Sequence, residues 1–385
     1  MRRLYLFVFS LLTSTICFAS DGALPGEFSV SATLKVHFSK GNLQYQASTQ
    51  TWRFAQNQYT SIGNGNLNAS STYTGWIDLF AWGSSGYKIA PYIKSTTEST
   101  FYIDGDKNKS IAGTNYDWGA YIGISNGGGS NGLWRTLTKS EWQYLLGSRA
   151  NAASKYSLGK VAGVYGLILL PDNWTLPSGC TFKAKAFFDK NVYTATVWKQ
   201  MEQAGAVFLP CCGFVTPTGT IISRMSPDQG SYWSSTACNG GQRAYFLNFI
   251  EENGTYVTSV SVKILDGTVG AGQAIGLLRY RKDRNSIRLV QDKSIYDNPT
   301  FTITTSATNG TVTGGGTYIV NATATLTATP NTCYDFSQWS DGNTDNPRTI
   351  TVTGNATYTA EFIKSKYTIQ TQTDNASQGT TMVEQ

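Results

Sequence analysis

The segment Trp134-Arg-Thr-Leu-Thr-Lys-Ser-Glu-Trp-Gln-Tyr-Leu-Leu-Gly147 decides how the longer, N-terminal part of this chain folds. Thr138 and Glu141 stand three residues apart, the spacing at which each side chain satisfies the other's backbone N–H at a helix start. Leu137, Trp142, Leu145 and Leu146 then fall mostly on one helical face, and Gly147 stops the run. Working outward, a second helix is expected after Thr194, with Val197, Trp198 and Met201 apolar and Gly205 as its stop. The remaining apolar runs read as strands: Gly166–Pro171, Ala206–Pro210, Ser231–Thr236, Ala244–Phe249 with alternating faces, and Ser286–Val290. Lys35–Ser39 and Trp52–Ala55 flank a Ser/Thr/Gln turn and read as a hairpin, with His37 facing solvent or a strand neighbour. Two short helices among many short strands predict an α+β fold. The Gly/Asn/Ser-rich stretches Ile62–Thr74 and Ser125–Gly132 are long for connections, and loops of that kind are more often functional than decorative.

Composition narrows the function classes. Charged residues make up only 14% of the 385 positions, against about 25% in an average soluble domain. Aromatic residues reach 13%, with 39 glycines. There is ample apolar surface to bury and no charged helical periodicity, which excludes disorder and coiled coil. A single histidine, His37, weakens every mechanism built on Ser-His-Asp, Cys-His or a His-rich metal site. The net charge of +6 comes with no run of five clustered Lys or Arg, so neither a nucleic-acid patch nor a polybasic membrane patch is expected.

Residues 1–19 carry a positive start (Arg2, Arg3), an apolar run from Leu4 to Leu12 too short to span a bilayer, and a small-residue end at Ala19. This is the pattern of a secretory signal peptide, and cleavage after Ala19 is the expectation. A lipoprotein reading would lipidate Cys17, but bulky Ile16 sits where a small residue is wanted. Export implies an extracellular or outer-surface location, with membrane association only through a C-terminal anchor. Five cysteines then remain, Cys180, Cys211, Cys212, Cys238 and Cys333, an odd number with no CxxC pair and no zinc spacing. They read as small buried apolar groups, with room for one bridge among the first four.

A compositional break falls near 292–300. Nine tryptophans precede it, and Thr- and Asn-rich strand-like runs follow it. Phe301–Gly310 recurs as Tyr367–Ala376, an internal repeat with an offset of 66 residues. Between the two copies lie Thr311–Tyr318, Ala324–Pro330, Tyr334-Asp-Phe-Ser-Gln-Trp-Ser-Asp-Gly342, Asn346–Thr353 and Thr359-Ala-Glu-Phe362. This region, 300–363, resembles the divergent internalin-type B repeat, a small β-grasp-like module strung in arrays on bacterial surface proteins. Cys333 stands where that family more usually has glycine. The resemblance implies a spacer or stalk, with Phe336, Trp339 and Phe362 in its core, and 366–385 as the truncated start of a second repeat.

The region 26–291 is carried by a second resemblance. Phe38–Tyr45, Trp76-Ile-Asp-Leu-Phe-Ala-Trp-Gly83, Asn115-Tyr-Asp-Trp-Gly119, Trp134–Thr138 with Glu141-Trp142, Tyr232-Trp-Ser-Ser-Thr236 and Ser286-Ile-Arg-Leu-Val290 look like the paralogous secreted domain of the Bacteroidetes–Fibrobacteres group. That domain is itself similar to the formylglycine-generating, sulfatase-modifying fold and to C-type lectin-like folds. The oxidases of that fold use a pair of nearby cysteines late in the domain to bind copper. From Asn239 to Val290 this sequence has no cysteine, so the soft copper site and the oxidase activity are not carried over. What the resemblance implies is the scaffold, a C-type lectin-like head with binding residues around Tyr232-Trp233.

Tyr232, Trp233, Arg243 and Tyr245 are therefore the candidate ligand-binding residues, because aromatic faces stack on sugars and Arg offers a planar donor fork. The competing reading makes Trp233 plain core, and Trp118 and Trp134 share that ambiguity. Asp104, Asp106 and Asn108 place oxygens at alternate positions as a calcium loop does, although Lys109 and Asn115 replace the usual Gly and Glu. Glu251-Glu252 is the acid pair nearest the candidate site, but strand neighbours face opposite ways, so paired-carboxylate glycoside cleavage is unsupported. The expectation is an exported, non-catalytic binding or adhesion protein for a glycan or surface protein, with no cofactor unless calcium. The alternatives are a catalytically altered formylglycine-type enzyme and a purely structural adhesin segment.

Overall fold

The computed structural model describes residues 22–222, 229–238, 240–254, 257–265, 279–320 and 322–367. The signal-peptide residues 1–19, and all but the first two residues of the second-repeat segment 366–385, lie outside the described residues. So do the side chains of Glu251 and Glu252. The chain forms two compact units, Met1–Asp297 and Asn298–Gln385.

The first unit is closed by its own ends. Lys35–Phe38 pairs antiparallel with Leu289–Asp292, Phe38 opposite Val290 and Val36 opposite Asp292. Phe28–Ser29 and Arg135–Thr136 flank this pair in a four-stranded sheet. The expected hairpin between the segments at 35 and 52 is corrected here. Thr51–Phe54 pairs instead with Leu43–Gln46, Tyr45 opposite Trp52, across the four residues Ala47–Gln50. A four-residue loop closes at lower entropic cost than the longer one the other pairing needs, so the nearer strand wins. His37 moves with its strand into the interior. It is 1% exposed, stacks on Tyr296 at 3.6 Å and lies 3.1 Å by Nδ1 from the Leu24 carbonyl. Burial holds its pKa below the usual value, so it is neutral and structural.

The helix expected from Thr138 is present and short. Lys139–Gln143 is α-helical and continues as a π turn over Tyr144–Ser148, so Gly147 lies within the last turn. Both halves of the capping box form: Thr138 Oγ1 accepts from Glu141 N at 3.2 Å, and Glu141 Oε2 accepts from Thr138 N at 2.7 Å. Arg135 grips the same carboxylate at 3.0 and 2.8 Å and reaches Asp292 at 2.7 Å, tying the helix start to the closing sheet. The second helix, Ala195–Gln203, is capped by Thr194 and buries Trp198 and Met201.

Three further sheets complete this unit besides the Leu43–Phe54 hairpin and its neighbour Trp76–Ile77. Tyr156–Val161, Val164–Leu169 and Val207–Pro210 pair antiparallel with Val192–Tyr193 parallel at one edge. Phe80–Ala81, Arg284–Asn285, Phe214–Val215 and Ile221–Ile222 form another. Gln229–Ala237, Ala244–Gly254 and Val257–Leu265 form the third. The Gln229–Ala237 strand lies between two aromatic clusters. Trp233 belongs to the one holding Trp52, Trp82, Trp118 and Trp134, and Tyr232 to the one holding Phe38, Trp142 and Phe249. Each fully buried side chain of this size removes apolar area worth about 1.5–3 kcal/mol.

The second unit is built of strands and turns among its described residues. Thr300–Ala307 and Ala356–Lys364 pair parallel at the centre of a four-stranded sheet, with Gly316–Ile319 and Tyr334–Trp339 outside them. Gly310–Thr313, Thr323–Pro330 and Arg348–Thr351 make the second sheet. Between them Trp339 is fully buried among Ile303, Leu326, Ile350 and Val352, with Phe301, Phe336 and Phe362 packed against the cluster. Trp339 Nε1 donates to the Asp345 carbonyl at 2.8 Å. Cys333 has φ +68°, in the left-handed region that favours glycine. The molecule as described is thus α+β, mostly sheet with few helices.

Candidate functional site

Of the four residues selected from sequence, the structure separates two from the surface. Tyr232 and Trp233 are 0% and 1% exposed, which corrects their reading as ligand contacts. Alternation sends them to opposite faces of one strand, and both faces are covered, so neither ring reaches a ligand. Their polar atoms are satisfied inside. Tyr232 Oη donates to the Pro210 carbonyl at 2.8 Å and accepts from Asn42 Nδ2 at 3.0 Å, while Trp233 Nε1 donates to the Phe80 carbonyl at 2.8 Å. Trp118 and Trp134 are equally buried.

Arg243 and Tyr245 do come to the surface together, both half-buried and two apart at the start of one strand, hence on one face. Arg243 bridges Tyr280, and its guanidinium lies 5.1 Å from that ring centre. Lys139, the first residue of the capped helix, places Nζ 4.1 Å over the Tyr245 ring. Four arginines of the interior, Arg279, Arg281, Arg284 and Arg288, are each at most 1% exposed. Arg281 donates to the carbonyls of Arg243, Phe101 and Lys107 at 3.0, 3.3 and 2.7 Å and lies over Trp82, so it fixes the backbone beneath Arg243. Burial pulls Arg281, Arg284 and Arg288 down to about 10, still charged at neutral pH.

Next to this stripe runs the 104–110 loop, whose Asp104 carboxylate is engaged by lysines. The two carboxylate oxygens of Asp104 take Lys88 Nζ at 2.7 Å and Lys109 Nζ at 2.9 Å, with the Tyr116 hydroxyl donating at 3.0 Å. These donors hold its carboxyl well below the usual range. Asp106 accepts from the Asn108 backbone, and no group of three metal-ligating side chains occurs among the described residues. Two ammonium groups thus sit where the calcium reading of Asp104, Asp106 and Asn108 put a divalent ion.

The same loop backs an aromatic group that sequence reasoning passed over. Tyr87 packs edge-to-face on Tyr116 at 5.3 Å and on Tyr121 at 5.1 Å, and Lys88 Nζ lies 5.3 Å from the Tyr87 ring. Tyr116 is buried and anchored through Asp104, whereas Tyr87 and Tyr121 are 38% and 43% exposed. Gly119 allows the turn that brings Tyr121 round. Its φ is +84°, and a Cβ there would stand 2.8 Å from the Trp134 Cβ. The 104–110 loop joins the two patches, since Lys107 packs against Gly241, two residues before Arg243. The quoted segment Asn115–Gly119 contains Tyr116, but no periodicity of the sequence pairs it with Tyr87, because both lie on irregular loops.

Cys238 and Asp283 lie buried beside this face: Cys238 N donates to the Arg243 carbonyl at 3.1 Å, and Asp283 Oδ2 accepts from Tyr280 N at 3.1 Å. Among the cysteines, Cys180, Cys212 and Cys238 are buried, Cys211 is half-buried and Cys333 is exposed. Burial pushes Cys212 up to about 12, so its reactive thiolate is suppressed. Burial also raises Asp117 to about 7, although Thr136 donates to it from both N and Oγ1, and raises Asp78 and Asp283 to about 6.

No curated protein and no solved structure matches the chain. Residues 301–366 match the family model described as the divergent InlB B-repeat domain, which covers the strand-built second unit.

Proposed function

We propose that this is an exported, extracellular or outer-surface binding protein, with a non-catalytic, C-type lectin-like head carried on a β-grasp-like B-repeat stalk. Its ligand is a glycan or a surface protein, and it uses neither a cofactor nor nucleic acid. The observation that carries this reading is the exposed pair Tyr87 and Tyr121, held edge-to-face and fixed from below by Tyr116 and Asp104. Rigid aromatic rings stack on sugar faces at low entropic cost, and a few such anchors supply most of an interface's binding energy. The suppressed thiol of Cys212 and the buried, neutral His37 support recognition over bond-making.

The test is binding of the full chain to a glycan array and to whole cells. Tyr87→Ala and Tyr121→Ala each weaken the interaction about tenfold or more, the usual cost of truncating an anchor, without changing thermal stability. Binding that ignores both substitutions overturns the proposal, as does reproducible turnover of any ligand.

A further inference from the structure

The cations around Arg243 differ from their neighbours Lys88, Lys109 and Lys282. Lys88 and Lys109 are neutralised by Asp104, and Lys282, which also stacks on Tyr280, by Glu98 at 2.5 Å. Arg243, Lys139 and Lys107 have no acidic partner among the described residues, and the Asp106 carboxylate is engaged by the Asn108 backbone. Arg243 Nε is in addition buried without a hydrogen-bond partner. A buried donor left unmade costs stability, and like charges gathered on one face repel, so an anion bound to the outward nitrogens offsets that repulsion. Tyr280 and Tyr245 hold the two head groups by their ring faces, and the Arg281 bond to the Arg243 carbonyl fixes the strand below. The cations are preset and leave their outward donors available.

We infer that Arg243 and Lys139, with Lys107 at the rim, form a subsite for the carboxylate or sulfate of an acidic glycan. This rests on the recognition reading above and specifies its ligand class: Tyr87 and Tyr121 stack on sugar rings while the stripe reads negative charge. The planar guanidinium matches a carboxylate or sulfate through two parallel bonds, with Lys139 adding a point charge.

The experiment is equilibrium binding of the full chain to alginate, dextran sulfate, neutral dextran and a single-stranded oligonucleotide of matched charge. Alginate or dextran sulfate is expected to bind more tightly than neutral dextran and the oligonucleotide, and to weaken at high salt. Arg243→Gln and Lys139→Gln should each lower that affinity about tenfold to a hundredfold, the loss of a hydrogen bond to a charged group. Lys139 carries the test if Arg243→Gln fails to fold, as judged by its melting curve. Equal binding of neutral and acidic polysaccharides, unaffected by either Gln variant but lost in Tyr87→Ala, overturns the anionic subsite and leaves the recognition reading standing. Binding of no polysaccharide overturns both, and oligonucleotide binding as tight as dextran sulfate overturns the glycan class.

Discussion

Replacing Tyr232 by phenylalanine separates a core role from a ligand role at the residue where the two readings conflict most sharply. The substitution keeps the ring and removes one oxygen. In the folded head that oxygen donates to the Pro210 carbonyl at 2.8 Å and accepts from Asn42 Nδ2 at 3.0 Å, with Tyr232 and Asn42 both fully buried. Its loss strands a carbonyl and an amide N–H away from water, each costing about 1–3 kcal/mol, and partial relaxation brings the total to about 2–4 kcal/mol. For a unit of this size each kcal/mol lowers the melting temperature by about 2–4 °C, so a fall on the order of 5–10 °C is expected. Differential scanning calorimetry of the full chain reads it, alongside glycan binding well below the transition. Unchanged melting together with lost binding would refute the reasoning, because it would place the hydroxyl on the ligand.

Three further outcomes follow from the same geometry. Asp117→Asn flattens the pH dependence of head stability: the unfolded carboxyl ionises near pH 4 and the folded one near 7, so wild-type stability falls as pH rises between them, and thermal melts across that range show whether the slope shrinks. Trp339→Ala removes a fully buried ring and its bond to Asp345, a loss of about 3–5 kcal/mol. A core of this size supplies roughly that much, so the repeat's calorimetric transition disappears while the head's remains, and a retained transition contradicts the packing. Adding calcium leaves the melting temperature unchanged, since Lys88 and Lys109 hold Asp104. A calcium-dependent rise would restore the cation loop.

Local signals in the sequence were legible wherever neighbours along the chain do the work. The capping box at Thr138 and Glu141, the second helix after Thr194 and the core role of Trp339 all depend on residues close together in sequence or on a repeat that matches a family model. The strand character of Ser231–Thr236 and Ala244–Phe249 was equally readable from alternation and aromatic content.

What alternation left open is which face of a strand meets water. Tyr232 and Trp233 became core because other segments cover both sides of their strand, and Lys35–Phe38 left the expected hairpin because its partner arrives from Leu289–Asp292, some 250 residues on. Arg243 and Tyr245 reached the surface by the same logic, two apart on one uncovered face. The sequence by itself therefore determined the local elements, the repeat and the presence of a single histidine. Only the tertiary structure decided exposure, gathering Tyr87, Tyr121, Arg243 and Lys139 beside one loop, because burial is a property of what packs against a segment and not of the segment's own residues.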